Sequence, residues 1–145
     1  VPESGEIDPE EVWKAVEKHL VEIPFMDGQE RQMPYVLLEH RVSGKRVWFS
    51  NVHFAPGGRT NWHTHGVGQV LIVTAGEGFV FDEHGNGGRI GVGDVVHIPG
   101  ETQHWHGATS SAFMTHTAIS VGGHDWGREV TADEYRQAHD QEFGA

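Results

Sequence analysis

Between Tyr35 and Val121 short β-prone runs alternate with glycine-rich turns, and no other feature constrains the fold of this chain so tightly. The runs cover residues 35–42, 46–54, 69–74, 78–83, 94–98, 103–107 and 112–121 and are rich in Val, Ile, Phe and Thr. Ser43-Gly44, Pro56-Gly57-Gly58, Gly76-Glu77-Gly78, His84-Gly85-Asn86-Gly87-Gly88, Gly93-Asp94 and Pro99-Gly100 separate them. Short strands at such regular spacing imply an all-β sandwich or barrel.

Helical signals lie only at the two ends. Asp8-Pro9-Glu10-Glu11 reads as an N-cap, a first-turn proline and first-turn acids, followed by Val12, Trp13, Val16 and Leu20 at helical spacing. The spacing predicts a helix over 9–21, and Pro24, Asp27, Gly28 and Pro34 predict a connecting loop over 24–34. Thr131-Ala132-Asp133-Glu134 is a capping box and predicts a helix over 132–142. With 145 residues the chain fits one core. Residues 1–34 are expected to decorate a barrel formed by residues 35–145.

Ten basic and 21 acidic residues give a formal charge of −11, which argues against nucleic acid or an anionic membrane as a partner. The absence of cysteine excludes disulfides, thiolate metal sites and cysteine nucleophiles. No apolar run reaches the roughly 20 residues of a membrane span. Val1–Asp8 is polar and acidic, without the apolar segment of a signal peptide, so a cytoplasmic protein is expected.

Twelve histidines are several times the ordinary usage. His19, His84, His124 and His139 are read as surface or strand residues, and His53 and His97 as non-ligands. His63-Thr64-His65 is different, because strand residues i and i+2 share a face and can reach one ion. Gln69 follows across Gly66-Val67-Gly68, and His104 and His106 repeat the spacing. Imidazoles suit Zn, Fe, Ni, Cu or Mn, and a carboxamide oxygen can fill a further position.

The stretch Gly57-x5-His63-x-His65-x3-Gln69-x6-Gly76 resembles the first cupin motif, and Gly93-x5-Pro99-x4-His104 resembles the second. The resemblance implies a cupin jelly-roll barrel holding one divalent ion through His63, His65, Gln69 and His104. Three positions depart from the motifs. The motif-two glycine is Glu101, with Gly100 beside it expected to make the turn; the motif-two asparagine is Ala108; the motif-one acid is Gln69. A neutral ligand leaves the ion its full dipositive charge, which favours Lewis-acid chemistry over redox cycling with O₂.

Residues 54–126 are similar, more narrowly, to the small bacterial cupins with manganese-dependent hydroxynitrile lyase activity, a group associated with carboxymuconolactone-decarboxylase-like proteins. Trp62-His63-Thr64-His65, His104-Trp105-His106 and Met114-Thr115-His116 carry the likeness. It implies that His106 and His116 are acid–base groups and that Thr60 lines the pocket. Where the lyases have a pocket glutamine, this chain has Ser120. Strand parity adds that His106 shares a face with His104, and that Met114, His116, Ala118 and Ser120 share another. Val52 and Ser50 lie on the face of their strand opposite His53. Trp62 and Trp105 are expected to pack outward.

The function expected is a metal-dependent lyase or isomerase acting on a small oxygenated substrate. The ion is Mn, Fe, Zn or Ni, with Mn favoured by the resemblance. A non-haem iron dioxygenase, a natural-product cyclase or tailoring cupin, and a non-catalytic small-molecule-binding cupin are the alternatives. A homodimer or larger homo-oligomer is expected.

Overall fold

The computed structural model describes the backbone of residues 21–24, 30–33, 35–39 and 46–144, and the side chains of residues 46–144. The helix expected over 9–21 lies outside the described residues except for Val21, which begins a strand. β1 (Val21–Pro24) and β2 (Glu30–Met33) pair antiparallel where a loop over 24–34 was expected. The two prolines that bracket this segment argue for a loop, yet a proline can stand at the end of a short strand.

Two antiparallel sheets follow, and one long strand belongs to both. The first sheet runs β3 (Tyr35–Glu39), β4 (Arg46–Phe54), β10 (Met114–Val121), β6 (Gly68–Asp82) and β8 (Val95–Pro99). The second runs β11 (His124–Trp126), β5 (His63–His65), β9 (His104–Ala108), β6 again and β7 (Gly87–Gly91). The first half of β6 pairs with β8 and β10, while Glu77–Phe81 pair with β7 and Gly78–Asp82 with β9.

Glycine makes that crossing possible. A side chain on Gly76, whose φ is 71°, would put Cβ 1.8 Å from the Phe113 carbonyl oxygen; at Gly78 it would lie 2.1 Å from that of Gly107. The Gly76-Glu77-Gly78 segment, expected as a turn between two strands, is therefore a bend within one. β7, expected as part of a turn, uses its glycines the same way. A Cβ on Gly87 would lie 2.0 Å from the Val80 carbonyl oxygen, so only glycine permits that close pairing.

Inside, Val52, Phe54, Leu71, Val73, Val80, Ile90, Ile98, Ala108, Met114 and Ala118 form the core. A second apolar cluster lies on the other face of the second sheet. Phe79, Phe81 and Trp105 pack there with Val130 and Ala138, flanked by Trp62 and Tyr135. Trp62 and Trp105 thus point away from the histidines, as expected, and Trp105 is covered by the C-terminal helix (Ala132–Phe143).

That helix carries the capping box read from the sequence: Thr131 Oγ1 accepts from Glu134 N–H, and the Glu134 carboxylate accepts from Thr131 N–H. Its docking is reinforced by Tyr135, whose hydroxyl donates to the Ala108 carbonyl at 2.8 Å. Ala108, where the motif has asparagine, is fully buried beneath it. Among the described residues no helix is long and apolar enough to cross a membrane.

Candidate metal centre and its pocket

Register brings the histidines together. His63 on β5 lies opposite His104 on β9, with ring centroids 4.2 Å apart. Strand alternation then turns His65 and His106 to the same interior side. Their rings lie 5.2 and 5.1 Å from that of His63. Gln69 reaches the same space from β6 and His116 from β10. All six are buried, His63 and His104 to 1% exposure.

The hydrogen bonds fix which ring atoms remain free. His63 Nδ1 donates to the Asn61 carbonyl at 2.9 Å, and His104 Nδ1 donates to that of Thr102 at 2.9 Å. Each neutral ring therefore presents an unprotonated Nε2 to the interior. Burial, reinforced by His104 and then His65, holds the His63 pKa well below its usual value, and burial also lowers that of His104. Neither ring carries a second proton at neutral pH.

Gln69 Oε1 lies 3.1 Å from His104 Nε2, while Gln69 Nε2 donates to Ser120 Oγ at 3.0 Å. Two lone-pair atoms facing each other without a proton repel. They attract a cation between them, because ligand atoms at right angles about 2.1 Å from one ion sit about 3 Å apart. His65 has both ring nitrogens buried without a partner, as is Nε2 of His106. Orphaned imidazole nitrogens in so buried a site are those an ion or a bound substrate would satisfy. His63, His104 and His106 offer ligand atoms within 4.8 Å of one another and could hold a metal. The donor set is neutral nitrogen and oxygen throughout, which fits a divalent ion of borderline softness.

His106, which the resemblance implies to be an acid–base group, thus also stands among the candidate ligands. Its Nδ1 lies 3.0 Å from His116 Nε2. β9 and β10 belong to different sheets, and the two rings meet across the barrel. Burial lowers both pKa values, that of His116 to about 4, and His116 adds to the effect on His106.

Of the pocket residues, Thr60 braces the site. Its Oγ1 accepts from the His106 backbone N–H at 3.3 Å and lies 3.5 Å from His63 Nδ1. Val52 sits opposite His116, and Ser120 lies between Trp48 and Gln69 in one cross-strand row. Met114 is fully buried, its sulfur filling the space that Gly78 leaves. His53 is exposed and its Nδ1 lies 2.7 Å from Thr115 Oγ1; His97 is also exposed, and neither joins the cluster.

Other features carried no sequence signal. The carbonyls of Asn61 and Thr102 orient two histidines, and backbone groups leave no trace in composition. Trp126 packs against His63 with centroids 4.7 Å apart and the rings tilted by 36°, and His124 stands edge-on to Trp48. β11 places both residues opposite β5, so His124, read as a surface or strand residue, is an exposed strand residue that borders the site.

Gly100 and Glu101 together make the turn before His104, but it is Glu101 that adopts the positive φ of 60°, and its N–H donates to the His65 carbonyl at 2.8 Å. Gly100 serves a different need, since a Cβ there would meet the Val67 carbonyl oxygen at 2.7 Å.

Comparison with known proteins agrees with this geometry. Residues 50–120 match the family model described as a cupin domain. The (R)-mandelonitrile lyase of Granulicella tundricola is 50% identical over 93 residues, spanning 61% of this chain and 70% of the relative. A cupin-like protein of Thermotoga maritima superposes with a TM-score of 0.62 at 36% identity, over 79% of this chain and 87% of that one. A cupin 2 conserved barrel domain protein of Rhodopseudomonas palustris shares the fold at 18% identity, with a TM-score of 0.53 over 83% of this chain and 78% of that one. With its two sheets curled around a histidine cluster and relatives of this kind, the chain belongs to the cupin family.

Proposed function

We propose that this cupin is a metal-dependent lyase that cleaves a cyanohydrin or a similar small hydroxylated substrate to a carbonyl compound. His63, His65, Gln69 and His104 would hold one divalent ion, with manganese favoured. That ion, when bound, supplies Lewis acidity toward a hydroxyl placed in the pocket. His106 Nε2 faces the same space and is free to exchange a proton with that hydroxyl.

The observation that carries the reading is the 3.0 Å approach of His106 Nδ1 to His116 Nε2 beside the histidine cluster. When His106 Nδ1–H donates to His116, Nε2 of His106 bears a lone pair. It takes the hydroxyl proton as the bond from the carbinol carbon to the leaving carbon breaks. The second ring shares the resulting charge across the hydrogen bond. The same proton then passes to the departing cyanide, so the reaction consumes no co-reactant. Val52, Met114 and Ala118 keep this step in an apolar, water-poor space. The (R)-mandelonitrile lyase relative supports this choice of substrate.

The test is cyanide release from mandelonitrile by protein of known metal content. His106→Ala and His116→Ala should each keep the metal and lower turnover by about 10²–10⁴-fold, the usual loss for a general acid or base. Loss of metal in both variants would make these residues structural and remove the acid–base machinery.

A further inference from the structure

Ser120 stands where the lyases that the sequence resembles have a pocket glutamine, and its surroundings give it a task. It lies opposite Gln69 in the β10–β6 register, so the two side chains leave neighbouring strands on the same interior face. Both are buried, at 8% and 5% exposure. The side-chain hydrogen bond of Ser120 is the one its Oγ accepts from Gln69 Nε2 at 3.0 Å.

A carboxamide has two ends of nearly equal shape and opposite chemistry. Its oxygen can bind a cation and its NH₂ cannot. With Nε2 on Ser120, Oε1 is the end 3.1 Å from His104 Nε2. Half a turn of the amide would point NH₂ at the His104 lone pair, which Nδ1–H to Thr102 leaves unprotonated. That flipped state makes a good hydrogen bond and blocks two ligand atoms at once. Without Ser120 the productive orientation would leave a buried NH₂ unpaired, whereas the flipped one would leave only the carboxamide oxygen unpaired, the less costly of the two.

We infer that Ser120 is a positioning residue: by holding the Gln69 NH₂, it keeps the carboxamide oxygen turned toward the metal site. The inference rests on the reading of Gln69 as a ligand. It also explains why a neutral ligand here needs a partner that a carboxylate would not, since either end of a carboxylate is an oxygen.

The test is a double-mutant cycle read by Mn(II) affinity, with free Mn(II) followed by electron paramagnetic resonance. Ser120→Ala should weaken Mn(II) binding about tenfold or more, the lower range for removing a partner of a metal ligand. In the Gln69→Glu background the same substitution should change affinity by less than about twofold, because a carboxylate has no wrong end. An equal loss in both backgrounds, or no loss with Gln69 present, would overturn the inference. Gln69→Ala separates the two levels. If it binds Mn(II) like the unaltered protein, Gln69 is no ligand and both readings fall. If it binds weakly while Ser120→Ala does not, only the role of Ser120 falls.

Discussion

His106 Nδ1 and His116 Nε2 lie 3.0 Å apart although their strands, β9 and β10, belong to different sheets. One ring pair therefore bridges the barrel interior, and each ring sets the proton position on the other. His106→Ala and His116→Ala should then cost similar factors in turnover, and the double variant little more than either alone, as for groups acting as a unit. Single-turnover cyanide release measures this. Multiplicative losses would mean that the two rings act independently.

Gln69→Glu tests the role of charge. The variant should bind Mn(II) more tightly and release cyanide more slowly, because a carboxylate neutralises part of the charge that polarises the substrate hydroxyl. Reactivity of the metal-loaded protein with O₂ should rise. Faster cyanide release together with unchanged O₂ consumption would refute the charge argument.

Glu101 holds a left-handed backbone conformation, at φ 60°, that favours glycine. Its N–H bond to the His65 carbonyl keeps it there. Glu101→Gly should raise stability by about 1 kcal/mol, or about 2–4 °C in the thermal midpoint, with metal content unchanged. A lower midpoint would show that the Glu101 side chain contributes more than the backbone strain removes.

Acid should destabilise the metal-free protein in a defined window. Burial lowers the pKa of His65 to about 3, with His104 next, and burial lowers that of His116 to about 4. The unfolded chain takes up these protons near pH 6.5, so between the two values it binds more protons than the native state. Stability is full above about pH 6.5 and falls as the pH drops toward about 4, by up to about 1.4 kcal/mol per unit for each ring. Thermal midpoints of the stripped protein at successive pH values measure this. A midpoint constant between about pH 7 and pH 5 would contradict the assigned burial.

Parity explains how much of the site was legible beforehand. His63 with His65, and His104 with His106, share faces because strands alternate with a period of two; the bounds of β4 followed from its sequence pattern, and those of β8 and β9 to within one residue. Register between distant strands is a different kind of information. Nothing local places Ser120 opposite Gln69, or His116 against His106 from the other sheet. Glycine misled the reading at Gly76 and Gly87, where its lack of Cβ permits close approach inside a sheet and not a turn. β11 was missed because its three residues are exposed and carry no apolar alternation.

The most direct measurement of the central claim is a metal titration. Protein stripped by a chelator is reloaded with Mn(II) in steps, and cyanide release from mandelonitrile is followed at each step. Activity should rise in proportion to occupancy and level off at one ion per chain. His63→Ala and His104→Ala should neither retain the ion nor recover activity. Cyanide release from the stripped protein equal to that of the loaded protein would contradict a metal-dependent lyase.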